Sequence, residues 1–132
     1  MIDKKWIGQS IKGTNCWQFI VDYYEKELST FLWPYRGSLK GREDKKNLSI
    51  FLDDYLNRSG YWQRVKIPLY PDLAMFDING LMIHGGIVLG DNSMLHMRVE
   101  GSLVQSYTDG SLWKEKKFKN LKGFYHYRKE IG

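Results

Sequence analysis

The chemistry of this chain could centre on its single cysteine, Cys16, and on its three histidines. A thiolate is a strong nucleophile, and an imidazole that the fold brings beside it can act as its base. His84 interrupts an apolar run and is followed by two glycines, which let another group approach the backbone. His96 lies twelve residues further on, and His126 lies in an aromatic run near the C-terminal end. The pattern indicates a thiol nucleophile whose base comes from a distant part of the chain.

The residues around Cys16 predict a helix from about Asn15 to Leu28, with the cysteine in its first turn. Apolar residues recur there at spacings of three and four, and Thr14 or Asn15 can cap the helix. The free N–H groups and the dipole of a helix start lower the pKa of a thiol. The Cys16 N–H could also donate to an oxyanion. The alternative is that Cys16 is a small buried apolar residue.

Beyond about residue 65 the pattern changes to that of strands joined by short turns. We predict strands at Leu73–Ile78, Leu81–Leu89, Met94–Val99 and Phe124–Arg128. His84 and His96 then lie on the two strands of one hairpin and are expected to be close, while their register stays open. His126 is expected to be exposed or on an edge strand, with no catalytic role. Zinc binding by Cys16, His84 and His96 matches no compact metal motif.

The elements that position these residues indicate an α+β fold, with N-terminal helices packed on an antiparallel sheet. A second helix is expected at about Leu48–Asn57, capped by Asn47, after a solvated loop that includes residues 42–46. The chain has 132 residues, 42% of them hydrophobic, which predicts one domain spanning 1–132.

The net charge of +5 favours anionic partners, although it is also ordinary for a soluble domain. No apolar stretch is long enough for a membrane span, and no signal peptide is evident, which predicts synthesis in a cytoplasm. A nucleic-acid binder is a further alternative, because lysines alternate with aromatic residues near the C-terminal end. These residues are Trp113, Lys114, Lys116, Lys117, Phe118, Lys119 and Lys122. Glu115 interrupts the run, and a solvated face is the simpler interpretation.

Several segments resemble the NlpC-type cell-wall cysteine peptidases, and within them the phage tail-assembly branch. They are Trp6–Gly8 with Gly13–Val21, Tyr70–Phe76, His84–Asp91 with Met94–His96, and more weakly Gly101–Val104, Trp113 and Gly123–Arg128. The sequence departs from the family pattern at three places. Asn15 stands where the family usually has aspartate, Ile11 where many members have tyrosine, and Pro71–Asp72 lacks an intervening glycine.

The resemblance implies a papain-like fold and no cofactor or metal. It implies that Cys16 is the nucleophile, His84 the general base and His96 the residue that orients His84. The implied substrate is the peptide stem of peptidoglycan, often the bond from D-glutamate to a diamino acid. The phage branch implies a virion protein with tail-tip partners that acts at the bacterial cell wall. A structural tail component with an idle site is the alternative.

Overall fold

The computed structural model describes residues 2–37, 39–107 and 120–128 of the chain. Within these residues it contains a short 3-10 helix, two α-helices and six β-strands. The bounds are Lys4–Trp6 for the 3-10 helix, Cys16–Leu28 for α1, Arg42–Asn57 for α2, Trp62–Val65 for β1, Leu73–Ile78 for β2, Leu81–Gly90 for β3, Ser93–Arg98 for β4, Gly101–Ser106 for β5 and Asn120–Tyr127 for β6.

All six strands form one antiparallel sheet in the order β1-β6-β2-β3-β4-β5. Tight turns connect β2 to β3 and β3 to β4. The turn residues Asn79 and Gly80 have φ values of 52° and 84°, and Asp91 and Asn92 have values of 51° and 59°. Consecutive left-handed residues are typical of hairpin turns that match the twist of the flanking strands. The short turns that the sequence predicts between these strands are therefore confirmed.

Helix α1 begins and ends within one residue of the prediction. Asn15 caps it, because its side-chain oxygen accepts a hydrogen bond from the Gln18 N–H at 2.8 Å. The apolar face of α1 packs on β3 and β4. Trp17 and Tyr24 of this helix are fully buried and contact aromatic rings of α2 and β1, respectively.

Helix α2 begins at Arg42 rather than at Leu48, and Gly41 is its N-cap rather than Asn47. The prediction of a solvated loop over residues 42–46 was therefore wrong. The first turn of α2 is polar and exposed, so it lacks the apolar spacing that marks the rest of the helix. Its acidic residues Glu43 and Asp44 suit the positive end of the helix dipole.

The core lies between the helices and one face of the sheet and is rich in aromatic side chains. Trp17 meets Tyr55 of α2 edge to face, with ring centroids 5.9 Å apart. A smaller apolar cluster on the strands includes Phe76, Val88 and Met94. Two helices on an antiparallel sheet confirm the predicted α+β class.

The N-terminal segment holds β5 in place. Gly8 donates its N–H to the Ser102 carbonyl at 2.7 Å, and Ser102 donates its N–H to the Gln9 carbonyl at 3.0 Å. The Ser102 hydroxyl also donates to the Trp6 carbonyl. The outer edge of β5 is therefore bonded to the chain's own backbone.

No helix in the described part of the chain is both long and apolar enough to cross a membrane.

Candidate active site

Cys16 is the first residue of α1, as the sequence predicted. Asn15 fixes this helix start with both ends of its amide. The oxygen caps α1, and the nitrogen donates to the Tyr35 carbonyl at 3.0 Å. Asn15 therefore joins the start of α1 to the connector that leads to α2.

The thiol of Cys16 lies against β3, next to His84. It donates a hydrogen bond to the Ile83 carbonyl, with Sγ 2.9 Å from the oxygen. The pairing of β2 and β3 places His84 opposite Phe76 and Met82 opposite Asp77, so Ile83 is an extra residue in the strand. Such a β-bulge bends the strand and changes the direction of the side chain beside it.

Burial raises the pKa of the Cys16 thiol to about 11, although nearby backbone N–H groups act in the opposite direction. The sequence had predicted a lowered pKa from the helix start. That prediction was wrong in its net direction, because the loss of hydration around the sulfur outweighs the helix effect. The resting thiol is therefore protonated at neutral pH.

The two histidines meet on adjacent strands, as the hairpin predicted. His84 Nε2 lies 2.7 Å from His96 Nδ1, and the two side chains are buried, with exposed fractions of 4% and 3%. As predicted, other groups approach the backbone at the two glycines, and these groups are methionine side chains. A Cβ on Gly85 would lie 2.5 Å from the Met75 sulfur, and one on Gly86 would lie 2.6 Å from the Met94 sulfur.

Both histidines are neutral at pH 7. Burial lowers the pKa of His84 well below its usual value, and the neighbouring His96 and Arg98 lower it further. Burial also lowers the pKa of His96 to about 4, against a smaller opposite effect from its hydrogen bond to Gln105. A neutral imidazole can accept a proton, so the pair has the protonation state that a general base requires.

Cys16 and His84 line one cleft with a volume of about 840 Å³. Basic side chains on its walls include Arg36, Lys45 and Arg98, with Glu100 as an acidic neighbour. A cleft lined mainly by one sign of charge attracts ligands of the opposite sign. The arrangement can therefore hold an anionic substrate next to a thiol and an imidazole.

His126 lies apart from this histidine pair. Its Nδ1 is 2.7 Å from the Asp72 carboxylate, whose other oxygen accepts the Leu69 N–H. The side chain is about half exposed, as predicted, but β6 lies between β1 and β2 rather than at the edge of the sheet. His126 therefore helps to hold the segment that leads into β2.

Two polar residues of the site were missed in the sequence. Gln105 of β5 contacts His96, and Arg98 of β4 contacts Gln105. Recognition of β5 as the partner of β4 would have placed both beside His96. The run from Trp113 to Lys119 lies outside the described residues, while Lys122 of β6 pairs with Asp77 at 3.2 Å.

Among the described residues, no group of three or more His, Cys, Asp and Glu side chains is arranged to hold a metal ion. The polar groups around Cys16 and His84 instead form the short hydrogen-bonded chain described above.

Comparison with known families shows that residues 5–122 match the NlpC/P60 family. No curated protein matches the chain significantly. The family match covers most of the 132 residues and includes Cys16, His84 and His96. Members of this family are cysteine peptidases that act on peptidoglycan. The chain belongs to the NlpC/P60 family.

Proposed function

We propose that this chain hydrolyses an amide bond in the peptide stem of peptidoglycan. In this proposal Cys16 is the nucleophile, His84 is the general base and His96 orients His84. The observation that carries it is the meeting of Cys16, at a helix start, with the buried His84–His96 pair at one cleft. The family implies the peptidoglycan substrate.

The proposed reaction begins from a neutral thiol and a neutral imidazole. The thiol leaves the Ile83 carbonyl, and His84 Nδ1 takes its proton as the sulfur attacks the substrate carbonyl carbon. The resulting oxyanion is stabilised by the Cys16 N–H in the first turn of α1. His84 then protonates the leaving amine, which departs and leaves a thioester on Cys16. Water hydrolyses the thioester, with His84 as its base.

The charge of the cleft supports a substrate that carries carboxylates. Arg36, Lys45 and Arg98 on its walls outnumber Glu100. D-Glutamate that is joined to the diamino acid through its side-chain carboxyl group keeps a free α-carboxylate beside that bond, and a diamino acid with a second carboxyl group adds another. We therefore propose this bond as the one that is cleaved.

Turnover of purified muropeptides tests this assignment. We expect hydrolysis by the wild type and none above background by Cys16→Ala. His84→Ala should lose more activity than His96→Ala, because proton transfer contributes more to the rate than orientation does. Equal activity of wild type and Cys16→Ala would exclude this nucleophile. The reverse order of the two histidine variants would overturn their assigned functions.

We further propose that the protein acts from a phage tail tip, because its segments resemble the phage branch of the family. In this setting its partners would be tail-tip proteins, and the virion would bring it to the cell wall. Mass spectrometry of purified tails should detect the chain. Its absence from tails of the phage that encodes it would contradict the proposal.

A structural tail component with an idle site is the second candidate. The protonated thiol and its bond to Ile83 are what an idle cysteine would also show. Slow alkylation at neutral pH therefore does not separate the two candidates. Muropeptide turnover does separate them, because only the peptidase releases fragments.

A further inference from the structure

Gln105 of β5 extends the histidine pair by one more hydrogen bond. The pairing of β4 and β5 places His96 opposite Leu103 and Met94 opposite Gln105, so Gln105 is diagonal to His96 on the same face. Its side-chain oxygen lies 2.6 Å from His96 Nε2. The same oxygen lies 3.5 Å from the Arg98 Nη1.

These contacts determine which ring nitrogens carry protons. An amide oxygen can only accept a hydrogen bond, so His96 carries its proton on Nε2. His96 Nδ1 then presents a lone pair, and His84 donates to it from Nε2. A neutral imidazole carries one proton, so His84 Nδ1 is left as the basic nitrogen.

The opposite orientation of the Gln105 amide would reverse the donor and the acceptor in both hydrogen bonds, the one between Gln105 and His96 and the one between His96 and His84. Its NH₂ group would donate to His96 Nε2, His96 Nδ1 would donate to His84 Nε2, and His84 Nδ1 would carry the proton. That form cannot take a proton from a thiol. Arg98 has only donors, so its position beside Gln105 favours the orientation that presents the amide oxygen. Arg98 is itself largely buried and lies 3.6 Å from Glu100.

We propose that Gln105 is a positioning residue that sets the tautomers of His96 and His84, with Arg98 fixing the orientation of its amide. The effect of Gln105 on catalysis rests on the proposed function, whereas the assignment of the two tautomers does not depend on it.

A neutral amide suits this position better than a carboxylate. A carboxylate would favour a protonated His96, which has no lone pair to accept from His84. The charged groups near His96 are Arg98, which lowers its pKa, and Glu100, which raises it. His84 is the titratable neighbour on β3.

Two variants of Gln105 test the proposal, with Gln63→Leu, at an exposed position of β1, as the matched control. Gln105→Leu removes the acceptor at similar volume. Gln105→Glu keeps the shape and the acceptor but adds a charge, and it covers the case in which the leucine variant fails to fold.

The first measurement is the nitrogen NMR spectrum of the histidine side chains near neutral pH. The wild type and Gln63→Leu should show both buried histidines protonated on Nε2 alone. Gln105→Leu should show a mixture of tautomers. An unchanged single pattern in a folded Gln105→Leu, or protonation on Nδ1 in the wild type, would overturn the proposal.

The second measurement is the pH dependence of muropeptide hydrolysis. Gln105→Leu should lower kcat about tenfold to a hundredfold, with KM changed less than about twofold, because an orienting hydrogen bond is lost. Gln105→Glu should move the acid limb of the profile up by about one pH unit, because the carboxylate favours the protonated His96. Full activity of Gln105→Leu, or an unmoved acid limb in Gln105→Glu, would contradict the assignment.

The two measurements also separate this inference from the proposed function. If the wild type hydrolyses no muropeptide, the proposed function fails, while the NMR pattern still decides whether Gln105 sets the tautomers.

Discussion

At the scale of single residues, Cys16, His84 and His96 are all neutral at pH 7, although charged side chains line the cleft around them. The Cys16 thiol has a raised pKa, and both buried histidines have lowered ones. A resting ion pair of thiolate and imidazolium would need the reverse order. For the proposed reaction, these pKa directions favour proton transfer during attack on the substrate over a thiolate formed beforehand.

The alkylation rate of Cys16 reports this state directly, because the chain has no other cysteine. We expect slow reaction with iodoacetamide at pH 7 and a rate that rises towards the thiol pKa of about 11. Mass spectrometry of the labelled protein measures the rate, with Cys16→Ala as the unlabelled control. A plateau of fast labelling already below pH 7 would show a resting thiolate instead.

The buried histidines also make stability depend on pH. The folded pKa of His96 is about 4, below the ordinary value of 6.5, so the unfolded chain binds a proton first as the pH falls. The neutral His96 therefore contributes fully to the stability of the fold above about pH 6.5, and this contribution is lost as the pH falls towards 4. The pKa shift of His96 corresponds to about 3 kcal/mol in the free energy of unfolding.

Urea unfolding at several pH values measures this loss. The free energy of unfolding of His96→Gln should fall less steeply over the same range than that of the wild type. The same slope in both proteins would argue against the buried, neutral His96.

At the scale of elements, the sequence predicted those whose apolar spacing is regular from end to end. The bounds of β2 were correct, and α1 was correct to one residue. The start of α2 was missed because Arg42 to Lys46 face solvent and interrupt the apolar spacing. The short strands β1 and β5 were missed because their side chains alternate little in polarity.

The candidate site could be predicted in part. The position of Cys16 at the start of α1 followed from the apolar spacing of that helix, and the proximity of His84 and His96 followed from the predicted hairpin. The bulge at Ile83 and the position of Gln105 depend on the register between strands, which a single sequence does not determine.

The cap of α1 gives a test at this scale. Asn15→Ala should lower the free energy of unfolding by about 1 kcal/mol or more, because both the cap and the bond to Tyr35 are lost. Asn15→Asp keeps the cap and loses only the donor to Tyr35, so it should cost less. Urea unfolding compares the three proteins. Equal stability of Asn15→Ala and the wild type would be inconsistent with this cap.

At the scale of the whole molecule, the chain has a net charge of +5, and some of its basic side chains lie around the cleft. We expect the double variant Arg36→Gln/Lys45→Gln to raise KM for an anionic stem peptide by about twofold to tenfold, with kcat nearly unchanged. Lys66→Gln, an exposed charge elsewhere, is the matched control. Steady-state kinetics at low ionic strength measure the effect. Identical KM values for the wild type, the double variant and Lys66→Gln would show that these two basic side chains do not contribute to substrate binding.

In the proposed function, Cys16 cleaves the peptide stem of peptidoglycan. Mass analysis of the fragments released from purified peptidoglycan in heavy-oxygen water tests this proposal. We expect the wild type to release stem fragments with one heavy oxygen in the new carboxylate, and Cys16→Ala to release none. The same labelled fragments from Cys16→Ala, or none from the wild type, would contradict it.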